Sequence, residues 1–260
     1  MKLPFLHITG SGQPFIWLHG MLSSVESDSL YSLIDFNPIS KLVKIVRYDV
    51  CNKSVTGDYT WNASTEELIQ IANEQNYGSM ILGGSSMGAG TAIHCAVKFP
   101  SRVKALILAT PPPAWEMRKD VKALYEKIAS KARPDTIPGV LKRIIQRNQD
   151  LPDFFEQIYP GTRQQLLQYR LSFEPSYYSQ IYLGGADSDL PTRKQISKIS
   201  VPTLIVALPD DVNHPLDMAL EIQALISRSE LVVISSQQDY QNLQNKVHEF
   251  ILKALKDNKS

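Results

Sequence analysis

The sequence predicts an α/β fold: a mostly parallel sheet of about seven strands, helices on both faces, and a helical insertion. Three observations predict it. Short apolar runs alternate with amphipathic stretches over residues 1–110 and again over 200–260, the rhythm of a parallel sheet wrapped by helices. Between 111 and 199 that rhythm stops, and helical patterns follow one another with no strand signal. Finally, the apolar run Met80-Ile-Leu enters Gly84-Ser85-Ser86-Met87-Gly88, and a helical pattern continues to Lys98. A strand, a crowded turn of small residues and a helix are the context of a G-x-S-x-G nucleophile elbow.

The elements follow in chain order. Phe5 to Ile8 is a short strand candidate, Gly10 to Pro14 is turn chemistry, and Phe15 to Leu18 is a buried strand ending in His19-Gly20-Met21. Ser27 to Leu33 reads as a short helix and Leu42 to Asp49 as a third strand. Ser64-Thr-Glu-Glu67 has the spacing of a capping box opening a helix whose buried face is Leu68, Ile69, Ile71 and Ala72. After the elbow come a helix over Thr91–Lys98 and a strand over Val103–Ala109. In the insertion, Trp115–Lys131, Ile137–Gln149 and Thr162–Leu171 read as amphipathic helices. The sheet resumes with a strand at Val201–Ala207, a helix at Pro215–Ile226, a last strand at Glu230–Ile234 and a closing helix at Leu243–Leu255.

Length and composition bound the function. A chain of 260 residues suits one α/β core, residues 1–110 and 200–260, carrying residues 111–199 as a lid. With a formal net charge of +1 and no long block of one sign, nucleic acid is not an implied partner. No apolar run approaches the roughly 18 residues of a membrane span, and the start of the chain is too short and polar for a signal peptide. Two cysteines, Cys51 and Cys95, do not make a disulfide framework, and a reducing cytoplasm is the expected compartment. The basic lean of the insertion (Arg118, Lys119, Lys122, Lys127, Lys131, Arg133, Lys142, Arg143, Arg147) reads first as solvated helix faces and second as an anion-attracting lid.

Five stretches carry a resemblance: His19-Gly20; Arg47-Tyr-Asp49; Gly84 to Gly88; Pro100-Ser-Arg-Val103 before the strand Ala105–Ala109; and Val201-Pro-Thr-Leu-Ile205 before an acidic loop. On these the sequence resembles the α/β-hydrolase superfamily along nearly its whole length. Only one strand precedes the one ending at His19-Gly20, so the family's first edge strand is expected to be missing. Pro111 to Arg118 looks like the lid entrance of one bacterial branch of hydrolases, which implies a hydrolase without naming a substrate.

The resemblance implies roles. Ser86 is the nucleophile candidate, with Ser85 as the alternative, because only Ser86 stands between the two glycines at family spacing. The oxyanion hole would be the N–H of Met87 with the N–H of Met21, while His19 pins the loop. An Asp followed four residues later by Pro selects Asp211 over Asp210 as the orienting carboxylate. The family's base follows the last strand, but the matching position here is Asp239, and no histidine occurs between Ile234 and Lys246. His7, His94 and His248 have ordinary surface or packing readings, which leaves His214. It stands within about 10 Å of Asp211 along even an extended chain. Either Asp211 or, in an exchanged arrangement, Asp239 would then orient it; the alternative is that His214 only caps a helix. The turn Asp49-Val-Cys-Asn-Lys-Ser54 departs from the glycine-rich turn usual in the family.

Three functions are carried forward. The first is a cofactor-free, metal-free serine hydrolase acting on a small ester, thioester or lactone, with Trp115, Tyr125, Phe154 and Phe155 as candidate substrate contacts. The second is a ligand-binding protein of the same fold that has lost its base. The third is a carbon–carbon hydrolase or lyase, since fold does not fix chemistry. Oligomeric state is left open.

Overall fold

The computed structural model describes residues 5–30, 32–50, 58–146 and 151–257. Seven strands form one sheet: β1 (His7–Thr9), β2 (Pro14–Leu18), β3 (Lys44–Arg47), β4 (Met80–Ser85), β5 (Val103–Ala109), β6 (Thr203–Ala207) and β7 (Ser229–Val233). Their order is β1-β3-β2-β4-β5-β6-β7, with β1 antiparallel to β3 and every other pairing parallel. The apolar runs of the central strands are buried because both faces of the sheet are covered. β1 is exposed at its edge.

Helices α1 (Phe36–Ile39), α2 (Trp61–Glu74), α3 (Met87–Lys98), α10 (Leu216–Leu225) and α11 (Gln237–Lys256) complete the core. Leu68 and Ile71 of α2 and Ile93 of α3 pack with Leu82 and Leu106 on one face. Leu243, Val247 and Ile251 of α11 pack with Ile107, Leu204 and Val206 on the other. Between β5 and β6 lie α4 (Arg118–Ser130), α5 (Ile137–Gln146), α6 (Asp153–Ile158), α7 (Thr162–Leu171), α8 (Pro175–Ala186) and α9 (Arg193–Ile196). This insertion joins both layers. Leu141, Tyr178 and Ile181 belong to the cluster of α2 and α3, whereas Phe155 and Leu166 belong to that of α11.

Several elements differ from the sequence reading. The helix assigned a cap at Ser64 begins one turn earlier. Thr60 is the N-cap, its hydroxyl accepting from Ala63 N–H at 3.2 Å, while Ser64 is buried inside the helix and donates to the Thr60 carbonyl. The helix expected over Ser27–Leu33 is a single 3₁₀ turn at Ser27–Ser29 followed by α1. Helices α6, α8 and α9 were not anticipated: two are very short, and α8 is buried on so many sides that its pattern carries little period. Arg118, counted among solvated charges, is buried. Its Nε donates to the Ser188 carbonyl at 2.6 Å, another N–H reaches the Gly185 carbonyl, and the guanidinium lies over the Trp61 ring at 4.9 Å. Lys119, Lys122, Lys127, Lys131 and Arg143 are exposed. Cys51 to Ser54 and Arg147 fall outside the described residues.

Candidate active site

The site starts from backbone strain. β4 ends at Ser85, α3 begins at Met87, and Ser86 between them has φ 52° and ψ −113°. Such a conformation costs on the order of 1–3 kcal/mol in a non-glycine residue. The surroundings hold it: Ser86 N–H donates to the Ala109 carbonyl at 3.0 Å, and Gly90 N–H donates to the Ser86 carbonyl at 3.0 Å. The flanking glycines are required by space. A Cβ on Gly84 would stand 2.4 Å from the Gly88 backbone, and one on Gly88 would stand 2.1 Å from the Leu18 carbonyl oxygen. Strain gathers at this end of the sheet. Of the five described non-glycine residues with positive φ, Leu22, Ser86, Thr110 and Trp115 follow the carboxyl ends of strands, and only Asn76 does not.

The turn lifts the Ser86 hydroxyl to within 2.8 Å of His214 Nε2. His214 Nδ1 lies 2.7 Å from Asp211 Oδ2. A carboxylate on Nδ1 keeps the proton on that nitrogen, so the Nε2 lone pair faces the serine and the Ser86 hydroxyl donates to it. Asp211 and His214 occupy one tight turn after β6. The other carboxylate oxygen, Oδ1, accepts from Asn213 N–H at 2.8 Å and from His214 N–H at 3.2 Å. Burial alone would raise the Asp211 pKa. The His214 hydrogen bond and charge, with those two N–H groups, outweigh it and hold the carboxyl below its usual value. The side chains of His214 and Asp211 remain 20% and 15% exposed, so the pair is lodged at the surface of the core and still reachable.

Beside the hydroxyl lies the loop after β2. A Cβ on Gly20 would stand 3.5 Å from the Ser86 Cβ, which puts the Gly20–Met21 peptide next to the elbow. That peptide is held by its carbonyl. The Gly20 oxygen accepts from His19 Nδ1 at 2.7 Å and from Ser23 N–H at 3.2 Å, while Val50 N–H donates to His19 Nε2 at 3.0 Å. Since Nε2 is an acceptor, the ring proton sits on Nδ1. Across a planar trans peptide, fixing the Gly20 C=O in one direction aims the Met21 N–H in the other. Met87 N–H is the first donor of α3, where amides lack intrahelical partners and the helix dipole favours negative charge. A strained hydroxyl backed by an imidazole and a carboxylate, with fixed amides beside it, is equipped for nucleophilic attack on a carbonyl carbon.

Asp239 is not part of this group. It lies in the first turn of α11, where its Oδ2 accepts from the hydroxyls of Ser235 at 2.9 Å and Ser236 at 2.8 Å and from Ser235 N–H at 3.1 Å. These bonds hold its pKa down and commit its Oδ2 to the turn, while His214 Nδ1 already faces Asp211. The exchanged arrangement, with Asp239 orienting His214, is therefore not the one the fold forms. Asp210 is exposed. Trp115 is committed elsewhere: its Nε1–H donates to the Pro191 carbonyl at 3.0 Å, its N–H donates to Asp189 at 3.0 Å, and Arg193 covers its ring at 4.2 Å. Phe155 is core, in edge contact with Tyr240, and Phe154 stacks on Phe155. Tyr125 packs beside Gly185, which also lies against the Met21 thioether.

Thr110 was missed by sequence reasoning. Its hydroxyl lies 3.3 Å from that of Ser85, behind the elbow, and no motif signals it. Cys95 is buried, which pushes its thiol up to about 12 and leaves it inert as a nucleophile. A shallow cleft lined by Gly12, Gln13, Lys44 and Tyr77 lies at the amino ends of the strands, opposite Ser86. Among the described residues no helix is long and apolar enough to cross a membrane, and no cluster of three or more His, Cys, Asp or Glu is placed to hold a metal ion.

Comparison with known proteins agrees with this architecture. The profile of a family described as alpha/beta hydrolase fold matches residues 58–246. An AB hydrolase superfamily protein of Bacillus subtilis, YisY, is 27% identical over 248 residues, spanning 88% of this chain and 85% of its own. A thermophilic esterase from Thermogutta terrifontis superposes with a TM-score of 0.81 at 20% identity, covering 96% of this chain and 93% of the esterase. The enol-lactonase of Burkholderia xenovorans superposes with a TM-score of 0.79 at 15% identity, covering 95% and 96%.

Proposed function

The chain belongs to the α/β-hydrolase fold family, and from that premise we propose that it is a serine hydrolase of small esters, thioesters or lactones. One observation carries the reading: His214 bridges the Ser86 hydroxyl at 2.8 Å and Asp211 at 2.7 Å. Ser86 Oγ attacks the carbonyl carbon while His214 Nε2 takes its proton. The negative charge on the carbonyl oxygen meets the N–H groups of Met87 and Met21. Collapse of the tetrahedral intermediate expels the alcohol, thiol or ring oxygen, which receives the proton from His214. Water, deprotonated by the same nitrogen, then releases the acyl group from Ser86. Asp211 holds the imidazole in its working tautomer and stabilises the imidazolium that forms at each step.

Amides fixed by the fold need no reorganisation as charge develops, and each such donor is worth about 10²–10³ in kcat. Residues 111–199 act in this reading as a lid. Support comes from their joining both layers of the core and from Gly185, which lies near the Met21 thioether with Tyr125 packed beside it. The alternative of a binding protein without a base rested on the missing histidine after β7, and His214 beside Ser86 removes that support. A fluorophosphonate probe tests the reading: the wild type should label and Ser86→Ala should not. Equal labelling of the two proteins, or none of either at high probe concentration, rules out Ser86 as the nucleophile.

A further inference from the structure

A hydrogen bond from the Tyr169 side chain ties the loop that supplies Met21 to the insertion, beside the packing of the Met21 thioether near Gly185. Tyr169, on α7, donates its hydroxyl hydrogen to Ser24 Oγ, across 145 residues of sequence. Ser24 is fully buried and forms a closed pair with Ser27: Ser24 N–H donates to Ser27 Oγ at 2.8 Å, and Ser27 N–H donates to Ser24 Oγ at 3.1 Å. Ser27 Oγ in turn donates to the Ser24 carbonyl at 3.2 Å. The next residue is anchored as well, since Val25 N–H donates to Asp49 Oδ1 at 3.0 Å. Three and two residues before Ser24, Met21 and Leu22 make the strained turn that presents the amide beside Ser86, Leu22 having φ 58°. The Tyr169 ring is itself held, packing edge-on against Phe173 at 5.0 Å, and Phe173 packs on Tyr177 at 4.8 Å.

We propose that Tyr169 is a positioning residue for the oxyanion hole: through Ser24 it fixes the loop that aims the Met21 N–H, so the docking of the insertion sets that donor's place. The inference rests on the serine-hydrolase reading above, with Met21 as a donor. Small displacements matter here because a donor stabilises charge only at hydrogen-bond distance from where the oxyanion forms. With the Tyr169 hydroxyl removed, the Ser24–Ser27 pair keeps its own hydrogen bonds, so the loop survives but loses its hydrogen bond to the insertion.

The experiment uses the full chain with Tyr169→Phe, Ser24→Ala and the double variant. Fluorophosphonate labelling rate is measured, together with kcat and KM for p-nitrophenyl butyrate, expressed per titrated active serine. Tyr169→Phe deletes one oxygen and keeps the ring on Phe173. We expect kcat and labelling rate to fall about tenfold, less than the 10²–10³ lost with a whole donor. KM should stay within about twofold, and the acid limb of the pH profile, which reports the base, should not move. The double variant should be no slower than the slower single variant, because both changes cut the same link. A lower melting temperature with unchanged kcat per active serine overturns the proposal, as do multiplicative losses in the double variant. Should Ser24→Ala not fold, the kcat–KM split of Tyr169→Phe decides alone. If the wild type labels at Ser86 and Tyr169→Phe labels as fast, only this inference falls; if the wild type neither labels nor turns over, the serine-hydrolase reading falls with it.

Discussion

The turns after β6 and β7 are neighbours in the sheet, and both pack an aspartate among hydrogen-bond donors, yet they do opposite things with it. After β6, Asp211 divides its oxygens: Oδ1 takes two backbone amides, and Oδ2 is turned to His214, which faces Ser86. After β7, Asp239 gives Oδ2 to two serine hydroxyls and a backbone amide, all within four residues, in the first turn of α11 that Ser236 caps. One turn exports its carboxylate to a base; the other consumes it locally. The difference is set by what lies three residues along. His214 follows Asp211 by three and reaches back over it, whereas Ser236 precedes Asp239 by three and closes an N-cap. The family position for the base is thus occupied by Asp239, bound to the residues that cap a helix, and base and acid share a single turn.

Breaking the first turn should have the largest effect. Among the described residues His214 is the group placed to accept the Ser86 proton, so in His214→Ala kcat should fall by about 10³–10⁶, leaving what binding and the oxyanion amides supply. Steady-state hydrolysis of an activated ester checks this. In the wild type the same assay should lose rate as pH drops, since only the neutral imidazole accepts a proton. Wild-type turnover in His214→Ala would move the base elsewhere and erase the contrast between the two turns.

Asp211→Asn comes next. The carboxamide oxygen can still accept from Asn213 and His214 N–H, so the turn should persist. An NH₂ group facing Nδ1 then favours the wrong tautomer, and kcat should fall by about 10²–10⁴ with little change in KM. A loss under about threefold would show that His214 works without its carboxylate.

How much of this was legible in the chain follows from where each signal resides. The central strands and the helices over both faces were readable because a parallel sheet buried on both faces leaves unbroken apolar runs such as Met80–Leu82 and Val103–Ala109. The elbow was readable because sterics force its glycines, and the contacts a Cβ would make at Gly84 and Gly88 show why. The choice between Asp211 and Asp239 was not readable. Either carboxylate lies on a loop beside the site, and only the direction of each side chain decides, which spacing does not encode. The start of α2 at Trp61 was hidden for a related reason: Thr60 and Ser64 are both capping residues, and burial of Ser64 settled which one caps. Thr110 and Tyr169 reach their partners through tertiary contacts, so no local pattern marks them.

The smallest effects belong to the second turn, and they sharpen the comparison most. Ser236→Ala removes the side chain that accepts from Asp239 N–H, an N-cap loss of about 0.5–2 kcal/mol, and should leave kcat within twofold (about 1 means no role). Asp239→Asn should likewise spare activity. Its stability effect carries a pH signature whose sign follows from the lowered pKa of Asp239, caused first by the Ser236 hydroxyl, then by the N–H and hydroxyl of Ser235. A carboxyl whose pKa is lower folded than unfolded binds fewer protons in the native state. Its contribution is therefore complete above the unfolded value and fades as pH falls through the folded one. Urea unfolding of wild type and Asp239→Asn should differ at pH 7 and converge as the medium approaches the acid side of the carboxylate range. Asp211→Asn should show the same convergence in stability, because its carboxyl is also held low, but with the activity loss that Asp239→Asn lacks. A drop in kcat for Asp239→Asn as large as that for Asp211→Asn would mean that both turns serve Ser86, and the division of labour drawn between them would be wrong.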